Sequence, residues 1–166
     1  PAIREMALGC AAEHVAPHAL DWDRDKTFPD ETLRAAAALG MAGIYVREDV
    51  GGSGLSRLDA TLIFEALSTG CPTVAAFLSI HNMAGWMIDS FGSEDLKARY
   101  LPRLVPMNRM ASYCLTEAGA GSDAAALTTR AVRAGDAWLV SATTPSISGA
   151  GVHAPPPPPL PTPGYR

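Results

Sequence analysis

The chain has 166 residues, of which 48% are hydrophobic and 18% charged. That leaves room for one medium or two small domains and excludes an overall disordered chain. The formal net charge is −4, from 17 acidic and 13 basic residues, so no basic face for nucleic acid is expected. No apolar run reaches the roughly 18 residues of a membrane helix. Cys10, Cys71 and Cys114 are odd in number and far apart, which fits neither a zinc ribbon nor a disulfide framework and favours a reducing compartment.

Residues 2–19 place Ile3, Met6, Ala7, Cys10, Ala11 and Val15 at helical spacing, ending near Pro17. Trp22 and Phe28 then stand as aromatic anchors in an acidic link. Pro29 suits the first turn of a second helix, with Asp30 and Glu31 at its positive end and a stop at Gly40. Gly43–Val46 is a short apolar stretch, and residues 51–54 read as a flexible connector. Ser56 and Asp59 resemble a capping box for a third helix with Leu58, Leu62, Ile63 and Leu67 inward. Residues 73–91 are apolar on nearly all sides, which predicts a helix buried all round. Ser93 caps a fifth helix that Pro102 and Pro106 close.

The pattern changes at Met110. Met110–Thr116 reads as a strand, and residues 117–123 as a glycine-rich loop. Leu127–Arg133 and Ala137–Ala142 read as strands paired around Gly135-Asp136. The expected division is a helical domain over 1–108, the start of a β domain over 109–151, and a proline-rich tail over 152–166. Seven of the 14 prolines lie in Pro155–Pro163, which predicts an extended polyproline II segment. Three strands make no independent β domain, and the apolar helix needs more cover than four short helices give. The chain, beginning at Pro1, is therefore expected to be processed, truncated or a partial product that lacks a C-terminal partner.

The sharpest chemical feature is Tyr113-Cys114-Leu115-Thr116-Glu117-Ala118-Gly119-Ala120-Gly121-Ser122-Asp123. A strand delivers the Thr116 hydroxyl to its end, glycines let backbone approach a ligand, and Ser122 adds a donor. Such a loop can hold the polar edge of a ring cofactor and its pyrophosphate; a solvent-exposed turn between strands is the plainer alternative. Gly119-x-Gly121-x-x-Ala124 also matches a dinucleotide fingerprint, but a hairpin rather than a long helix follows. No Lys follows the glycines, which excludes a Walker loop. His14 and His18 stand at i, i+4 without a third metal ligand. His81 is expected as a hydrogen-bonded core residue, Met83 and Met87 as core filler, and Cys114 lacks a basic partner for nucleophilic work.

Tyr113–Asp123 resembles the flavin-binding signature of the acyl-CoA dehydrogenase family. The likeness extends back through Glu48–Ser56, Ile63–Leu67, Ile80–Met83 and Trp86–Gly92, and forward to Ile147–Gly151, covering nearly all of residues 1–151. It implies a mostly α fold: an N-terminal helical domain of acyl-CoA dehydrogenase type followed by the first strands of an incomplete β domain. It implies FAD as cofactor, held by Tyr113, Cys114, Leu115, Thr116, Gly121, Ser122, Ser146, Ile147 and Ser148, with Ser122 also meeting the acyl-CoA substrate. It further implies oxidation of a short branched, isobutyryl-CoA-like substrate at its α,β bond, electron-transferring flavoprotein as acceptor, a homo-oligomer, and the mitochondrial matrix and valine breakdown as setting.

The resemblance also has departures. The family's catalytic glutamate lies in a C-terminal bundle to which no position here corresponds, so no catalytic residue is assigned and the isolated chain is expected to be inactive. Ala118 stands where the signature has proline, and Ser146 where relatives place an aromatic against the flavin. Two other readings stay open: a polyproline interaction module, and a truncated product that aggregates or is degraded.

Overall fold

The computed structural model describes residues 2–145 and 147–149. It separates into two compact units, one ending at Ala111 and one beginning at Ser112. The proline-rich segment lies outside the described residues.

The first unit is helical. Helix α1 (Ala2–Cys10) runs into a π-helical turn (Ala11–Val15), in which the Ala16 N–H reaches back to the Ala11 carbonyl at 2.8 Å. The chain breaks around Pro17 and resumes as α2 (Ala19–Asp25). The acidic link expected around Trp22 is thus a short helix, ended by Lys26 in the left-handed region. Trp22 and Phe28 anchor it as expected: both pack on the core, Phe28 edge-on to Phe77 with ring centroids 5.0 Å apart.

Helix α3 (Asp30–Ala38) starts one residue later than expected, with Pro29 as its N-cap. Gly40, at φ +82°, ends it in a conformation that favours glycine. Helix α4 (Arg57–Ser68) opens with a complete capping box: Ser56 Oγ accepts the Asp59 N–H at 3.2 Å, and Asp59 Oδ2 accepts the Ser56 N–H at 3.0 Å. Ile63 and Leu67 face inward and are fully buried, and Leu62 is half-buried. Leu58 does not face inward; it is 70% exposed, because it lies on the face of α4 opposite the buried Ala60, Ile63 and Leu67.

Helix α5 (Pro72–Phe91) is the longest element. It is not buried on all sides: Val74, Phe77, Leu78, His81, Asn82, Gly85 and Asp89 are buried, while Met87 and Phe91 are exposed. Met83 is half-buried and Met87 exposed, so neither is core filler. Helix α6 (Glu94–Leu104) begins at Ser93, whose Oγ accepts the Leu96 N–H. Pro102 sits inside its last turn rather than closing it.

The segment between α3 and α4 is held closely. Asn82 Oδ1 accepts the Ile44 N–H at 2.7 Å, and its amide donates to the Met41 carbonyl at 2.8 Å. The Arg47 N–H and guanidinium both donate to Asp89. Gly85 lies against Val46. Positions 82, 85 and 89 share one helical face, so α5 lays a stripe of polar and close contacts along residues 41–47. Residues 51–54 are not a flexible connector: Ser53 and Gly54 return N–H bonds to Gly43 and Val46, and Ser53 Oγ–H donates to the Gly40 carbonyl.

His81 is fully buried, as expected for a core histidine. Its Nδ1 accepts the Ala111 N–H at 3.0 Å, which leaves Nε2–H to donate to the Leu104 carbonyl at 3.0 Å.

The second unit carries an antiparallel hairpin, β1 (Arg130–Ala134) and β2 (Ala137–Ser141), in the register Ala134↔Ala137 and Val132↔Leu139. Gly135, at φ +63°, makes the two-residue turn. Every residue of both strands is exposed, Val132, Trp138, Leu139 and Val140 among them. The strand expected over Met110–Thr116 does not form. Those residues have no ladder partner among the described residues, and a strand is defined by its partner.

Candidate functional site

The glycine-rich loop begins with a tight four-residue turn. Glu117 N–H donates to the Ala120 carbonyl at 3.0 Å, and Ala120 N–H to the Glu117 carbonyl at 3.1 Å. Ala118 occupies the second position of this turn, which proline also suits. Asp123 then caps a single 3₁₀ turn, Ala124–Ala126, through the Ala125 N–H. The hairpin follows directly, so the long helix of a dinucleotide fold is not there.

The turn is tied down by its own first residue. Glu117 is 7% exposed. One carboxylate oxygen accepts the Thr128 N–H at 2.8 Å and the Thr128 hydroxyl at 2.6 Å. The other accepts the Thr129 N–H at 2.7 Å and the Thr129 hydroxyl. These donors, the Thr128 hydroxyl first and then that of Thr129, bring the carboxyl pKa down to about 2. Glu117 is therefore a fixed anion and no general base at neutral pH. Its role was not read from the sequence; the adjacent threonines after a short loop were the available signal.

Around this clamp the expected flavin residues are open to solvent. Tyr113, Cys114, Leu115, Thr116, Gly121 and Ser122 are all exposed, and Thr116 and Ser122 flank the Glu117–Ala120 turn. Cys114 is a free thiol. Ser112 Oγ–H donates to the Ser148 carbonyl, which brings the run before Thr116 to the segment holding Ile147 and Ser148. Ile147 is half-buried and Ser148 exposed; Ser146 lies outside the described residues.

Gly119 and Gly121 supply a test of fit for a ligand. Neither has a positive φ, and a Cβ built on either meets nothing within 4 Å. At Gly52, by contrast, a Cβ would lie 2.0 Å from the Val46 carbonyl oxygen. Packing within the chain thus demands glycine at 52 but not at 119 or 121. Glycine there leaves backbone bare for a group approaching from outside, which suits a cofactor's polar edge.

An open groove of about 580 Å³ lies between Glu117–Gly119 and Ser141–Thr143, with Ala126, Thr128, Thr129 and Val140 completing its walls. Thr116 and Ser122 do not line it. His18 packs against Trp22 at 5.6 Å, and no group of three metal-ligating side chains occurs among the described residues. No helix among them is long and apolar enough to cross a membrane.

A helical unit followed by a glycine-turn segment and an antiparallel hairpin has the architecture of an acyl-CoA dehydrogenase N-terminal helical domain with the start of a β domain behind it. Residues 1–108 match the acyl-CoA dehydrogenase N-terminal domain, and the chain belongs to the acyl-CoA dehydrogenase family. It is 52% identical over 148 residues to mitochondrial isobutyryl-CoA dehydrogenase of Bos taurus, covering 89% of this chain and 36% of that protein. The Dictyostelium discoideum protein of the same name is 51% identical over 148 residues, with the same coverage. Among solved structures, a glutaryl-CoA dehydrogenase from Mycobacterium smegmatis in complex with FADH2 superposes with a TM-score of 0.86 at 26% identity. The match covers 91% of this chain and 39% of that one. The chain spans a little over a third of the curated relatives it matches.

Proposed function

We propose that this chain is the flavin-contacting front portion of an acyl-CoA dehydrogenase that oxidises a short branched acyl-CoA of the isobutyryl type. The observation that carries the reading is the Ser112–Ser148 bond, which joins the two segments of the expected flavin site within one unit. The similarity to isobutyryl-CoA dehydrogenases supports the substrate class.

In this reading residues 109–151 begin the middle β domain. The run Tyr113–Thr116, with Gly121 and Ser122, lines FAD together with Ser146, Ile147 and Ser148. Thr116 offers its hydroxyl to the polar edge of the ring, and Ser122 also meets the acyl-CoA. FAD, when bound, supplies the hydride acceptor for the α,β oxidation. The exposed apolar side chains Tyr113 and Leu115 exclude water from the ring once it covers them.

No residue of this chain takes the α proton. Glu117 already accepts four hydrogen bonds and stays ionised, so it has neither a free lone pair aimed outward nor a suitable basicity. The isolated chain accordingly turns over no substrate and retains little flavin. Electron-transferring flavoprotein as acceptor, a homo-oligomeric state and a mitochondrial matrix setting belong to the same proposal.

The test is a chimera in which residues 1–149 replace the matching segment of the bovine relative. The chimera is expected to reduce an electron-accepting dye with isobutyryl-CoA, and the isolated chain with added FAD is not. Robust dye reduction by the isolated chain overturns the reading, as does a folded, flavin-loaded chimera that is inert toward isobutyryl-CoA.

A further inference from the structure

We infer that Glu117 is the positioning residue of the flavin loop: its carboxylate latches the Glu117–Ala120 turn to Thr128 and Thr129 at the root of β1, so that Gly121 and Ser122 are held in place before any ligand arrives. The inference rests on the proposed flavin reading for what the loop receives, but the latch itself stands on geometry alone. Four donors from two adjacent residues converge on two oxygens, at 2.6–2.8 Å for the three of ordinary length. The same residue closes the turn through both of its backbone groups. Glu117 is 7% exposed while the loop residues beyond Ala120 are open. Glu117 therefore ties the turn to residues 11 and 12 positions downstream, and both of its carboxylate oxygens are taken up by those bonds. It acts through the loop rather than on the ligand.

The chemistry of the latch is specific. Only an ionised carboxylate presents acceptors on both oxygens. Glutamine keeps one acceptor but turns an NH₂ donor toward an N–H and a hydroxyl; the hydroxyl can rotate away, the N–H cannot. Aspartate keeps the charge but is one methylene short of the threonine pair. Thr129→Val removes a single hydroxyl donor and leaves the backbone donors in place, a milder perturbation of the same latch.

Hydrogen exchange on the full chain, resolved by residue, tests both parts. In Glu117→Gln, exchange at Ala118–Ser122, Thr128 and Thr129 is expected to accelerate by roughly tenfold or more, since hydrogen bonds to charged groups are the stronger ones. Exchange in α4 and α5 is expected to stay unchanged, which a general loss of fold would not leave so. Thr129→Val is expected to show a smaller acceleration at the same amides. Unchanged loop exchange in both variants overturns the latch. The same measurement on the chimera, with and without FAD, separates the two levels. Protection of the loop by FAD in the chimera, weakened by Glu117→Gln, supports the positioning role. Loop exchange that Glu117→Gln accelerates but that FAD leaves unchanged in the chimera keeps the latch standing and overturns the flavin role assigned to it.

Discussion

Asn82 and Ile44 meet through a buried hydrogen bond of 2.7 Å, side-chain oxygen to backbone N–H, that fixes the loop between α3 and α4 to the middle of α5. Asn82 also satisfies the Met41 carbonyl at 2.8 Å, and its side chain is fully buried. Substitution with alanine leaves both backbone groups without partners in a closed interior. Each orphaned group costs about 1–3 kcal/mol. Asn82→Ala is thus expected to lose roughly 2–5 kcal/mol in urea unfolding. A change below about 0.5 kcal/mol, the usual size of a surface substitution, contradicts this role.

The glycines divide into two kinds, and alanine substitutions separate them. Gly52→Ala forces a Cβ to within 2.0 Å of the Val46 carbonyl oxygen, so residues 46–54 have to rearrange and the thermal midpoint falls by several degrees. Gly119→Ala and Gly121→Ala meet nothing within 4 Å and need no positive φ, so unfolding is expected to change by less than about 0.5 kcal/mol. In the chimera both are expected to weaken flavin retention, read as bound FAD per subunit. Full retention in both contradicts the idea that these positions are bare for a cofactor.

Acid acts on the loop through Glu117. Its carboxyl pKa is about 2 in the folded chain against an ordinary 4.5, so the unfolded loop binds the proton more readily. The stabilisation is fully present above about pH 4.5 and is lost as pH falls toward 2. The Thr128 and Thr129 amide resonances are expected to stay constant between neutrality and pH 5 and to shift only below that. Glu117→Gln removes this transition. A titration of these amides near neutral pH would show that the carboxylate is not held as described.

Much of this was legible in the residues. The capping box at Ser56 and Asp59, the Ser93 cap and the Gly135-Asp136 turn are local signals, and each formed where its chemistry placed it. The elements that went unread depend on distant partners. Residues 19–25 lack an apolar period, and their helix is anchored by Trp22 alone among its large side chains. The order of residues 51–54 comes from backbone bonds to residues 43 and 46, with Asn82 fixing that segment from far along the chain. The Glu117 latch needs threonines 11 and 12 residues downstream. Met110–Thr116 carries a strand pattern, but pattern alone makes no ladder.

The hairpin leaves a cost in solution. Val132 and Leu139 face each other across the strands at 62% and 65% exposure, and Trp138 and Val140 are also exposed. Among the described residues neither strand has a second partner, and an exposed apolar hairpin edge recruits other chains. Leu139→Lys is expected to reduce self-association of the isolated chain in sedimentation experiments, with helix content by circular dichroism unchanged. Association unaffected by this charge places the sticky surface elsewhere.

The central claim is that the segment around Thr116 and Ser122 forms one wall of a flavin site. Bound FAD in the chimera, compared with and without the double substitution Thr116→Val and Ser122→Ala, addresses it most directly. The folded chimera is expected to retain about one FAD per subunit, and the substituted form to lose it with the fold intact. Equal flavin retention in the two would contradict the claim.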